Sequence, residues 1–84
     1  MSNQRRYEAF KEKFRTAILA EEDARSYREA GLDRAASMAQ NQHAIHTANA
    51  RQIAGNDHRY EVWRERFWRE TAQREAREMA LQTA

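Results

Sequence analysis

The chain predicts an all-α protein, a small three-helix bundle running up, down and up. Three observations carry that prediction. Proline is absent, and glycine occurs only at positions 31 and 55. What remains is rich in Ala, Arg, Glu and Gln, the residues that lose least on entering a helix. A nine-residue amphipathic segment is also written twice, as RYEAFKEKF at 6–14 and as RYEVWRERF at 59–67. A long helical hairpin that dimerises is the alternative the same residues allow.

Eighty-four residues fit a single helical domain, 1–84, with helices expected at about 3–30, 33–54 and 57–82. A chain this short has a marginal core, and with no cysteine neither a disulfide nor a thiolate metal site reinforces it.

In the first helix Tyr7, Phe10, Phe14, Ala17 and Ile18 recur at i, i+3 and i+7, one stripe of an amphipathic helix. Continued, that stripe reaches Glu21, Arg25 and Arg28, so the far end of the bundle is expected to be poor in core residues. Gly31 in EAGLDRA is placed to end this helix in the left-handed conformation, with Leu32 folding back and Asp33 capping the next helix.

The second helix carries only Met38, Ile45 and Ile53 as large aliphatics, among alanines, amides, His43 and His46. Its C-terminal half, through Ile45, Ala48 and Ile53, is expected to close the core. Gly55 ends it, and Asn56 or Asp57 opens the third.

The third helix repeats the aromatic stripe with Tyr60, Trp63, Phe67 and Thr71. With short turns the first and third helices are expected to run parallel, so six rings converge at one end. At about 150–250 Å² per buried aromatic, such a cluster dominates the folding energy. Trp68, Ala72 and Met79 form a second apolar line, displaced by about 100° from the first. A helix with two apolar lines meets a second partner or is unusually buried.

Charge is abundant but balanced, 15 basic against 13 acidic residues, and 13 of the basic ones are Arg. Glu is interspersed with Arg nearly throughout, which disfavours one uniformly positive face. No apolar run is long enough to span a membrane, and the polar start MSNQRRYEAF lacks the apolar core of a secretory signal. A soluble cytoplasmic protein is the expectation.

Chemistry has little to work with. His43 and His46 share a helix face at a metal-compatible spacing, but nothing in the sequence supplies further ligands. There is no glycine-rich phosphate loop, and Ser2, Ser26 and Ser37 have no evident base. No catalytic residue, metal site or cofactor is predicted, and the chain is read as a non-enzyme.

The expected function is a protein-interaction module, a small adaptor, inhibitor or assembly factor of the kind phages and mobile elements also encode. It would act by docking sterically on a larger protein. Trp, Arg and Met are typical interface residues, so Trp68, Ala72 and Met79, flanked by Arg64 and Arg69, are the candidate partner-binding residues. Self-association into a homodimer is expected to cover the thin end of the bundle. The alternative is an Arg-rich nucleic-acid-binding helix, with Arg5, Arg6, Arg66, Arg74 and Arg77 contacting phosphates.

Overall fold

A computed structural model describes residues 2–83. Three helices, α1 (Asn3–Glu29), α2 (Asp33–Ala54) and α3 (Asp57–Thr83), form a small all-α three-helix bundle. Ser2 caps α1 by accepting the Arg5 backbone N–H at 3.2 Å. Gly31 ends it at φ 77°, with Leu32 N–H donating to the Tyr27 carbonyl and Gly31 N–H to Arg28. That pair of bonds is a Schellman closure and satisfies two carbonyls the helix leaves open. Asp33 does not take the capping position expected of it. Leu32 occupies that place without a side-chain bond, and Asp33 sits in the first turn, where its charge favours the helix dipole. At the second turn Gly55 adopts φ 94°, and the Asn56 side chain accepts the Arg59 N–H at 2.8 Å.

The two turns produce different packings. Helices α1 and α2 form an antiparallel hairpin with close backbones along its length. Its seam follows steps of three, four or whole multiples of seven residues, through Tyr7, Phe10, Phe14, Ala17 and Ala24 on α1 and Ala36, Ala50 and Ala54 on α2, all buried. Such spacing keeps one face of each helix on the other, and alanine lets the backbones approach. The far end is poor in core residues, as the sequence predicts: Glu21, Arg25 and Arg28 are exposed, and the buried residues there are the small Ala24 and Ala36. The expected contribution of α2 is corrected. In the C-terminal half of α2 the buried residues are Ala50 and Ala54, whereas Ile45 is 51% exposed and Ala48 also faces out. Only Ile53 among the expected three packs against the core.

Helix α3 lies steeply across α1 and not alongside it. The backbones approach only near the crossing, because large rings stand between them. Phe14 meets both Tyr60 and Phe67, while Tyr7 meets Trp63 about two turns earlier on α1. The molecule is accordingly flat, 41 × 38 × 18 Å, and its radius of gyration is 15.3 Å, against about 12 Å for a compact domain of this length. The convergence of six rings is nevertheless as the repeat predicts. Tyr7, Phe10, Phe14, Tyr60, Trp63 and Phe67 are all buried and make one cluster with Ala50 and Ala54. No described helix is long and apolar enough to cross a membrane.

Candidate docking surface

The steep crossing decides what α3 can expose. Its stripe is buried at Tyr60, Trp63 and Phe67 and half-buried at Thr71, after which every described residue to Thr83 is exposed. Past Thr71 the same face would present Arg74 and Glu78, which have no hairpin opposite them. The helix continues because its residues are strong helix formers and because Glu70, Arg74 and Glu78 alternate in charge at four-residue intervals. The result is a free arm.

Two sets of contacts fix the root of that arm. Tyr7 donates its hydroxyl to the Glu70 carboxylate, and the Arg66 guanidinium lies 3.9 Å from the Tyr7 ring centroid and 3.6 Å from the same carboxylate. Burial, then the bond to Glu70, pushes the Tyr7 phenol well above its ordinary range. The Tyr7 bond holds the Glu70 carboxylate below its ordinary value, with Arg66 assisting against the opposing effect of burial. Behind the root, Arg6 donates to the Ile53 carbonyl at 2.9 Å and to the Ala54 carbonyl at 3.3 Å, and Arg59 also reaches Ala54. Two cations thus satisfy the C-terminus of α2, where the helix dipole favours them.

Where α3 leaves the hairpin, a cleft of about 260 Å³ opens among all three helices. Ile18 and Glu21 line it from α1, His43 from α2, and Tyr60, Arg64 and Trp68 from α3. The His43 Nδ1–H donates to the Ala17 carbonyl at 2.8 Å, which turns Nε2 toward Glu21, 3.9 Å away. Trp68 follows Phe67 by one residue, so its ring cannot enter the core beside it. It stands edge to face against Phe14 and Phe67 and remains 48% exposed.

The candidate partner-binding residues divide between cleft and arm. Trp68 and Arg64 border the cleft, Arg64 donating to Glu61 at 2.5 Å, and Arg69 lies exposed at the arm's root. Ala72 and Met79, the latter 66% exposed, continue along the arm with Leu81. The candidate phosphate contacts are scattered. Arg6 is occupied by α2 carbonyls and Arg66 by Tyr7 and Glu70, while Arg5, Arg74 and Arg77 are exposed. Glu21, His43 and the Tyr7–Glu70 bond were missed from sequence, because each acquires its role only from how the helices cross. A clue to Arg6 existed: it lies on the line through Phe10 and Ala17, which faces α2. No protein-family model, curated protein or solved structure matches the chain.

Proposed function

We propose that this chain is a non-enzymatic protein-interaction module, a small adaptor, inhibitor or assembly factor that docks on a larger protein. The observation that carries the reading is the arm: a stretch of α3 that stays helical beyond the last core contact while exposing Met79 and Leu81, with half-exposed Trp68 at its root. Isolated helices of this length are marginal in water, so the arm is stabilised further when a second surface covers it. Its partner is a protein groove with an apolar floor and a rim of mixed charge, filled by Trp68, Ala72 and Met79 as anchors on one helical stripe. Arg69, Arg74 and Arg77 are matched by Glu70, Glu75 and Glu78, a balance that suits such a rim better than a phosphate backbone. The action is steric: the arm occupies or bridges a site on the partner.

The test is capture from the native host by the intact chain, followed by purification of the captured protein and a binding titration. Trp68→Ala and Met79→Glu should each weaken that binding by at least about tenfold, the scale of an interface anchor, with helicity unchanged. Full affinity in both variants would sink the docking role of the arm. A complex with DNA or RNA that forms at low salt and dissolves as salt rises, through counterion release, would favour the nucleic-acid reading instead.

A further inference from the structure

A second surface lies on the hairpin, away from α3. Ala20 and Tyr27 sit roughly 120–160° round α1 from Tyr7 and Phe14, at 100° per residue, and so face away from the side that carries the arm. With Ala35, Met38 and Ala39 of α2 they line a hollow of about 310 Å³. A second hollow around Leu32, Arg34 and Met38 adjoins it at the turn. The alanines keep the floor low between the helices, while Met38 is 64% and Leu32 52% exposed. Asp23 borders the hollow on the α1 side, and Arg34 borders its continuation on the α2 side. Among the described residues neither makes an ion pair within the chain.

We propose that this face joins two copies of the chain into a symmetric dimer, hairpin stacked on hairpin. A two-fold axis parallel to the hairpin and lying in the contact plane sets the α1 wall of each copy over the α2 wall of the other. Asp23 of one copy then faces Arg34 of its partner, and the pair occurs twice. The register supports it. His43 stands level with Ala17, so Asp23, six residues further along α1, is level with Ser37, six residues back on α2. Arg34 is one helical turn from that level, within the reach of its side chain. A face two helices wide and about 33 Å long offers on the order of 600–700 Å² per partner, just under the ~800 Å² of a typical stable complex. A face of this size sits at the small end for a specific complex, so association is to be sought up to high protein concentration. The dimer leaves both arms free on the outer sides, so the assembly is bivalent.

Sedimentation of the full chain over a micromolar-to-millimolar series tests this directly. The wild type should pass from monomer to dimer, Met38→Glu should stay monomeric with unchanged helicity, and Asp23→Arg and Arg34→Asp should each weaken association by about tenfold. Mixing those two charge variants should restore dimers, because each heterodimer then contains two opposite-charge pairs. A wild type that remains monomeric at millimolar concentration overturns the proposal. So does a dimer that survives Met38→Glu, or one that the charge reversals leave unchanged; loss of that dimer in Met79→Glu would place self-association on the arm.

Discussion

The two ends of the hairpin solve the same burial problem in opposite ways. At the end near Gly55, six large rings hold α1 and α3 together while keeping their backbones apart. At the end near Gly31, Ala24 and Ala36 let α1 and α2 touch almost backbone to backbone. Both ends exclude water, as 0% exposure at Phe10 and 1% at Ala24 show. The ring-packed end can lose atoms only at the cost of a cavity, whereas Ala24, 1% exposed between α1 and α2, leaves little space for added atoms. The same difference explains the shape. Rings spread α3 across the hairpin and send its second half into solvent, so the large core residues create the arm.

Removing a ring from the first end should have the largest effect. Phe10 touches Tyr7, Phe14, Tyr60 and Trp63, and Phe10→Ala should cost about 3–5 kcal/mol. A chain of this size has roughly 4–12 kcal/mol of stability in total, so the variant should lose a large share of it, read as a large fall of the urea midpoint. The converse change probes the other end. Ala24→Leu adds methylenes where α1 and α2 are closest and should cost about 1–3 kcal/mol, read as a lowered urea midpoint. An Ala24→Leu protein as stable as the wild type would mean that the far end is loosely packed and that the contrast between the ends is false.

These two ends were not equally legible in the sequence. The aromatic end was, because large rings at i, i+3 and i+7 mark one face without ambiguity, and the repeat marked it twice. Helix limits were legible too, through Gly31, Gly55 and Asn56. The alanine seam was not. Alanine occurs on several faces of α1 and α2, and its small transfer energy gives no preference between the line through Ala36 and Ala50 and the one through Ile45 and Ala48. Only the partner helix decides. Of the candidate site, Trp68 could be singled out because it breaks the repeat, Arg15 standing at the equivalent place in the first copy. The cleft it borders could not, since Glu21 and His43 come from other helices and the crossing angle depends on how the rings interlock.

The glycines sharpen the contrast on a smaller scale. Both have positive φ, where an L side chain costs about 1–2 kcal/mol. A Cβ at Gly31 would meet nothing within 4 Å, so Gly31→Ala should cost about 1 kcal/mol. At Gly55 a Cβ would come within 2.8 Å of Arg6 Nη2, disturbing the guanidinium that holds the α2 carbonyls. Gly55→Ala should therefore cost about 2 kcal/mol, and thermal melts of the pair should place it below Gly31→Ala. The reverse order would show that Arg6 contributes little to the junction.

The smallest effect concerns the bond that ties the arm's root to α1. A hydrogen bond to a charged group is worth about 1.5–3 kcal/mol when buried, but the Glu70 side chain is 43% exposed, so Tyr7→Phe should cost about 1 kcal/mol. Its pH dependence identifies it. Glu70 is held below its ordinary value in the fold, so its contribution is complete above the usual carboxylate range and fades as pH falls through the depressed value. Tyr7 is held above its ordinary 10.0, so its contribution is complete below that pH and is lost as pH rises beyond it. The stability difference between wild type and Tyr7→Phe should then be flat around neutrality and shrink at both extremes, whatever the other carboxylates and cations do to both proteins alike. A difference that stays constant down to about pH 3, below the usual carboxylate range, would mean that the phenol packs beside Glu70 without bonding its carboxylate. The arm's root would then rest on the aromatic cluster alone.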